Sequence, residues 1–152
     1  MYTRIVRQTI EQGFQRFNQG DPDGILSKFA PIAHFRFFGS HAMGANVSNP
    51  QAIRAWFERI LRLFPGIQIT PTDIRVSGMP WETLVVTQLA IRATLSDGRP
   101  YENTAMQMLR LRWGKVVEDL VYEDTYILVN ELENMARHGI VEALAQPIAD
   151  PA

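Results

Sequence analysis

Residues 118–124 read Glu-Asp-Leu-Val-Tyr-Glu-Asp and concentrate acid on what reads as a strand. Alternation along a strand places Asp119, Val121 and Glu123 on one face and Glu118, Leu120, Tyr122 and Asp124 on the other. A carboxyl enclosed by apolar side chains has a raised pKa and exchanges protons near neutral pH, as a general acid or base must. Asp119 and Glu123 are the candidate catalytic residues. The competing assignment leaves these acids solvated at strand ends or paired with Arg92, Arg110 and Arg112. Asp124-Thr125 would then cap a following helix.

Three amides, Gln88, Asn103 and Gln107, come from neighbouring strand segments and are read as converging on the concave face of a sheet. A buried amide is costly unless hydrogen-bonded, so these either satisfy one another and water or orient a ligand. Phe35, Phe37, Trp56, Ala90 and Val121 are expected as the walls around them, although aromatics at such spacing also make plain core. A mostly apolar wall with a few convergent polar groups is the make-up of a small-molecule pocket. With no cation assigned to its interior, the pocket should take a neutral hydrophobic molecule bearing a carbonyl or hydroxyl and reject phosphates.

Other chemistries find less support. The chain has no cysteine, which removes thiolate nucleophiles, thiolate metal sites and disulfides together. His34, His41 and His138 lie far apart with no metal-ligand spacing, so neither a metal site nor a cofactor is expected. His34 alternates with Phe35 and Phe37 and should face away from them. A net charge of −1 gives no basic footprint for nucleic acid. No apolar run is long enough to span a membrane, and the first ten residues carry charge within their apolar periodicity, unlike a signal peptide. A cytoplasmic location is the default expectation. A composition of 46% apolar and 20% charged residues excludes a disordered chain.

The elements that must position these residues follow in order. Val6, Ile10, Phe14 and Phe17 form a helical stripe. Gly20 closes that helix, and Asp21-Pro22 opens a short second one bearing Ile25, Leu26 and Phe29. Ala33–Gly39 reads as a first strand, and Ser40–Val47 as a loop. Asn49-Pro50 starts an amphipathic helix through Ile53, Trp56, Phe57, Ile60, Leu61 and Phe64. Ile67–Val76 is a strand that Pro71 assigns to a sheet edge. Trp81–Leu95 and Tyr101–Arg112 follow, and Arg112-Trp113-Gly114 turns the chain into Lys115–Thr125, giving a central hairpin. A last helix carries Ile127, Leu128, Leu132 and Met135. Early helices and late strands predict an α+β fold, a curved antiparallel sheet with helices on one face. Residues 1–146 form one domain in this reading, and 147–152 a loose tail.

Two stretches carry a resemblance. Asn18-Gln19-Gly20-Asp21-Pro22-Asp23-Gly24-Ile25 with Phe29-Ala30 looks like the start of the second helix in the nuclear transport factor 2-like superfamily. Gly98-Arg99-Pro100-Tyr101-Glu102-Asn103, Gly114-Lys115-Val116 and Tyr122-Glu123-Asp124-Thr125 resemble the later motifs of its SnoaL-like branch. The likeness spans residues 5–135 and implies a cone-shaped, cystatin-like domain with an internal pocket, often dimeric. Most catalytic positions of the relatives are not matched. The steroid isomerase base falls at Phe37, and its oxyanion tyrosine falls near Gly13 or Phe14. Its protonated aspartate falls at Gln107, an amide still able to donate to a substrate oxygen. The water-activating set of epoxide hydrolases falls at Ala90, Gln88 and Val121, and the polyketide cyclase aspartate falls near Val121, between Asp119 and Glu123.

Two functions therefore stand: a binding domain for a neutral hydrophobic ligand, or an isomerase, cyclase or hydrolase using Asp119 or Glu123. They part on whether either acid points into the cavity without a basic partner. Val85, Leu89, Ile91 and Leu95, with Met106 and Met108, are expected on the outer sheet face, where an uncovered apolar patch would make a homodimer interface.

Overall fold

Val6, Ile10, Phe14 and Phe17 are all buried, and the helix they predict runs as α1, Tyr2–Asn18. In the computed structural model, which describes residues 1–152, it is followed by α2 (Asp23–Leu26), β1 (Phe29–Phe37), β2 (Ala45–Val47) and α3 (Pro50–Leu63). Next come β3 (Gln68–Met79), β4 (Glu82–Thr94), β5 (Pro100–Arg112), β6 (Lys115–Glu123), α4 (Thr125–Arg137) and a single 3₁₀ turn at Val141–Leu144. Helix starts follow the capping residues. Asn49 Oδ1 accepts from the Gln51 and Ala52 backbone N–H groups, and Asp124 accepts from that of Ile127. Asp21 Oδ1 accepts from the Asp23 N–H at the head of α2.

The six strands form one sheet in the order β2-β1-β6-β5-β4-β3, antiparallel except where β1 runs parallel to β6. The β5–β6 hairpin is central, as expected. Its loop sets Trp113 at φ 51° and Gly114 at φ 78° between the paired Arg112 and Lys115. Two successive left-handed residues match the twist of a two-residue hairpin. β3, with its internal Pro71, lies at the sheet edge, where a missing N–H is tolerated. The architecture is α+β, with a curved open sheet and four α-helices.

Burial alternates along the strands and settles which residues face the helices. Phe35 and Phe37 of β1, Asn103 and Gln107 of β5, and Asp119 and Val121 of β6 are all buried on the concave side. β4 has the opposite phase to the expected one. Val85, Leu89, Ile91 and, just past the strand, Leu95 are buried, while Gln88 is exposed and Ala90 partly exposed on the outer face. The pairing leaves no choice. Leu89 sits opposite Ala105 and Ile91 opposite Asn103, so they share the inward face, and a one-residue difference of phase exchanges the whole set.

Two smaller expectations also change. Ala45–Val47, read as loop, pairs with Phe35–Phe37 as an edge strand. The last residues are tied down rather than loose. Ile148 bridges to Ala45 and donates its N–H to the Gly44 carbonyl, and the Asp150 carboxylate accepts from the Ser48 and Asn49 N–H groups.

The wide part of the concave side is filled with aromatic rings. Trp56 lies 4.8 Å from Phe35 and 5.2 Å from Phe37 by ring centroids, and Phe57 packs on Phe17, Phe29 and Phe35. Phe35, only 1% exposed, touches both α3 aromatics. Truncating Phe35→Ala should lower unfolding free energy by about 3–5 kcal/mol in a denaturant titration. A residue lining an open pocket would lose far less.

Candidate active site

Asp119 is the one acid sealed inside the fold, at 2% exposure. It reaches that position because β6 alternates inward at Asp119, Val121 and Glu123, as the sequence predicted. Gln107 Nε2 on the neighbouring strand donates to Asp119 Oδ1 at 3.1 Å. No cation pairs with this carboxyl. Burial pushes its pKa up to about 7, and the single N–H from Gln107 only partly opposes that. The other end of the amide, Gln107 Oε1, is buried without a partner. Thr87 Oγ1, on the residue paired with Gln107 across β4–β5, is buried without one too.

Both Asp119 and Gln107 line a cavity of about 50 Å³. Its apolar wall includes Ile10 and Phe14 of α1, Ile25 of α2, Phe29, Leu109 and Val116, and Thr9, Lys28 and Gly114 reach the surface at its rim. The α1–α2 side depends on close backbone approach. A Cβ on Gly24 would stand 2.4 Å from Arg16 Cβ, so only glycine lets α2 lie this near α1. Drug-sized ligands occupy roughly 300–1,000 Å³. A cavity of this size has room for a single functional group, and a larger molecule would have to extend toward the rim.

The expected site residues separate into four sets. Asp119 and Gln107 meet at the cavity. Phe35, Phe37, Trp56 and Val121 are buried core and do not line it. Gln88 and Ala90, expected as inner-face residues, point out of the sheet, as the β4 phase requires. Glu123 and Asn103 belong to a separate network, in which Tyr101 O–H donates to Glu123 Oε1 at 3.0 Å and Asn103 Nδ2 donates to the Tyr101 oxygen at 2.9 Å. Burial pushes Glu123 up to about 7, against the Tyr101 hydrogen bond, and raises the Tyr101 phenol above its ordinary range. Tyr101 was not singled out, although its place two residues before Asn103 on one strand puts both on the same face. The same holds for Thr9 and Lys28, and Ile25, expected as part of the apolar face of the second helix, joins them on the cavity wall because of how α2 folds back on α1.

No histidine lines the cavity. His34 bonds to Asn46 Oδ1 and lies 3.5 Å from Glu118, on the face away from Phe35 and Phe37 as expected. His41 Nδ1 accepts from the Met43 N–H, which holds its loop, and burial lowers its pKa.

This fold, with a buried acid and amide on its central hairpin, is that of the SnoaL-like proteins. The family model for the SnoaL-like domain matches residues 10–119, and the chain belongs to that family, within the nuclear transport factor 2-like superfamily. No curated protein matches it in sequence. Among solved structures it resembles IdmH of Streptomyces antibioticus, a candidate polyketide cyclase, at 24% identity and TM-score 0.68, with 84% of this chain and 98% of that one covered. PrhC of Penicillium brasilianum superposes with TM-score 0.76 at 16% identity, covering 91% and 93%. An NTF2-like protein of unknown function from Burkholderia pseudomallei gives 0.72 at 18%, covering 82% and 95%. At these identities the structural likeness bears on fold alone.

The raised pKa of Asp119 makes stability depend on pH in a defined direction. Protonated Asp119 is favoured inside, so the folded chain retains a proton that the unfolded chain releases between its ordinary value of 3.8 and about 7. That contribution is complete below 3.8 and is lost as pH rises through about 7. Asp119→Asn should remove the loss. Its unfolding free energy should match the parent near the acid end and exceed it by on the order of 4 kcal/mol above neutrality, as measured by urea titrations across pH. Glu123 titrates in the same direction over a similar window, so only the difference between variant and parent isolates Asp119.

Proposed function

We propose that this protein is a small-molecule acid/base enzyme in which Asp119 moves a proton on a neutral, largely apolar substrate bearing a carbonyl or hydroxyl. The observation that carries this is the Asp119 carboxyl itself, buried on a cavity wall with one amide donor and no cation. A salt-bridged acid would be locked as a carboxylate far below neutral pH. One held at about 7 is half-ionised where the chemistry runs, which maximises its use in both directions. Asp119 takes a proton from a carbon beside the carbonyl, the electron pair moves onto the carbonyl oxygen as an enolate, and the acid returns the proton at the same or a conjugated carbon. Nothing is oxidised or reduced. Isomerisation and the enolate stage of a cyclisation share that step.

The known relatives' chemistries are not supported in detail. Phe37, at the steroid isomerase base position, is packed against Trp56, and Gln88 and Ala90, at epoxide hydrolase positions, face outward. Glu123 is the weaker candidate. Its carboxyl is occupied by Tyr101 and does not line the cavity beside Gln107.

Proton abstraction can be tested before the substrate is known. A panel of neutral aromatic and alicyclic ketones in D₂O should include members whose α-hydrogens exchange faster with the protein, at rates that rise as pH passes through about 7. Asp119→Asn should lower that exchange by about 10²–10⁴-fold. Ligands that bind parent and Asp119→Asn alike with no exchange in either would instead identify a binding domain.

The assembly we propose is a homodimer through the outer sheet face, with its residues corrected for the phase of β4. Val86, Met108 and Leu120 make one cross-strand row, and Met106 and Tyr122 make another beside it. Met106 is 48% and Tyr122 56% exposed, and Glu82 with Arg110 and Arg112 borders the patch with charge. Apolar rows ringed by charge on one sheet face suit a twofold partner. Light scattering should give twice the 17.3 kDa chain mass, and Met106→Glu should return the monomer.

A further inference from the structure

Gln107 is 8% exposed and lies on the cavity wall, and only one end of its amide is engaged. Nε2 donates to Asp119 Oδ1, while Oε1 is buried with no donor. An unsatisfied carbonyl oxygen in such a place is costly by about 1–3 kcal/mol, so the orientation persists only while Asp119 needs the N–H more. An ionised carboxylate accepts hydrogen bonds and cannot donate, and it therefore holds the NH₂ group. A protonated carboxyl adds an O–H that must find an acceptor, and the unpartnered Gln107 Oε1 is the acceptor beside it. Turning the amide by half a rotation exchanges its oxygen and nitrogen with almost no change of shape.

We propose that Gln107 is a two-state amide set by the charge on Asp119, holding an N–H to Asp119 while Asp119 is ionised and turning Oε1 to it once Asp119 holds a proton, which frees the N–H groups for the cavity. This rests on the reading of Asp119 as the proton-transfer group. Its consequence concerns which species the site favours at each stage. With Asp119 ionised, the amide is engaged with the carboxylate and Oε1 stays buried. When Asp119 takes a proton from carbon, negative charge arrives on the substrate oxygen as the amide turns its N–H toward the cavity. The amide then offers the enolate both of its N–H groups, where in the resting state one of them is held by Asp119, and that difference is the differential binding that speeds a reaction.

No second charge drives the switch from within the cavity. Lys28 is the other titratable side chain on the wall, at the rim. β1 packs Phe35 beside Asp119, β4 sets Thr87 opposite Gln107, β5 contributes Leu109, α1 contributes Ile10 and Phe14, and α2 contributes Ile25; none of these ionises. Glu123, further along the same face of β6, titrates over a similar window but accepts from Tyr101 and lies off this cavity, so the Asp119→Asn control separates the two.

The test uses the ligand-free, ¹³C/¹⁵N-labelled protein between about pH 5 and 9, spanning the titration. Gln107→Leu assigns the side-chain NH₂ signals, and the Asp119 Cγ shift reports its protonation. As Asp119 protonates, nuclear Overhauser contacts from the Gln107 NH₂ protons should leave the Asp119 β-protons and move to apolar cavity protons. The two changes should share one midpoint. In Asp119→Asn the Gln107 signals should be independent of pH. If Asp119 titrates while the Gln107 contacts stay in place, the switch is wrong and the acid/base role stands. If Asp119 keeps one protonation state over the whole range, the switch and the acid/base role fall together.

Discussion

Packing of Trp56 between the sheet and α3 fixes what the rest of this molecule can do. Its ring meets Phe35, Phe37 and Phe57, and its indole N–H donates to the Met43 carbonyl at 2.7 Å. Aromatic pairs in offset or edge contact add to the burial of three large side chains, so this part of the concave side is solid. The open volume is displaced toward α1, α2 and the β5–β6 turn. Gln107 and Asp119 are the polar inward groups on the sheet side of that cavity. The site is small because the core took the larger share of the cone.

Much of this was legible because the signals were periodic. The stripe Val6–Phe17, the Asn49-Pro50 helix start, the Trp113-Gly114 turn and the edge position implied by Pro71 all follow from local chemistry. So does the inward set Asp119, Val121 and Glu123. β4 shows where the reading went astray. Its large apolar residues, Val85, Leu89 and Ile91, are the odd-numbered ones, and burial of large apolar side chains is the stronger physical rule. Gln88 and Ala90 share the even-numbered phase with Val86 and therefore lie on the outer face, opposite to the expected convergence of Gln88 with Asn103 and Gln107. The aromatic walls failed differently. Sequence spacing puts Phe35, Phe37 and Trp56 on inward faces correctly, but whether inward rings line a void or fill it depends on how closely α3 approaches. β2 is three residues long, and the tail is held by Asp150 capping backbone N–H groups about a hundred positions away. Neither leaves a periodic trace.

Asp119 and Glu123 show how neighbours divide two like residues into different roles. They share a strand and a face, and burial moves both upward to about 7. Glu123 sits at the strand end with the Tyr101 hydroxyl on one oxygen, Asn103 behind that hydroxyl, and Asp124 already committed to capping α4. Its one side-chain hydrogen bond, from Tyr101, ties β5 to the end of β6, and Asn103 donates to the Asp124 carbonyl at the head of α4. Asp119 has one partner, itself half satisfied. Asp119 keeps unfilled capacity on the wall of the cavity beside Gln107, whereas Glu123 borders a separate cleft with Gln88, Met106 and Tyr122 on the outer side of the sheet.

The two sides of the cavity are also held by interactions of unequal strength. Asp119 and Gln107 stand on β6 and β5, at the centre of the sheet, where continuous ladder hydrogen bonds fix backbone position and the packed core fixes rotamers. The opposite wall includes α2, a single turn tethered by Arg16–Asp21 at 2.7 Å and Arg54–Asp23 at 2.8 Å. All four of those side chains are at least two-fifths exposed, and exposed pairs contribute about 0–1 kcal/mol each. Gly24 lets α2 lie close to α1 but adds no side chain to hold it there. Chemistry on the rigid wall and access along the weakly held one is the arrangement a reacting site needs, because precision is required at the proton and freedom where the substrate passes. Under the proposed function, a cavity of about 50 Å³ would widen on the α2 side, at the expense of two solvent-exposed ion pairs and the packing of Ile25 and Leu26, with the hydrogen bond between Gln107 and Asp119 untouched.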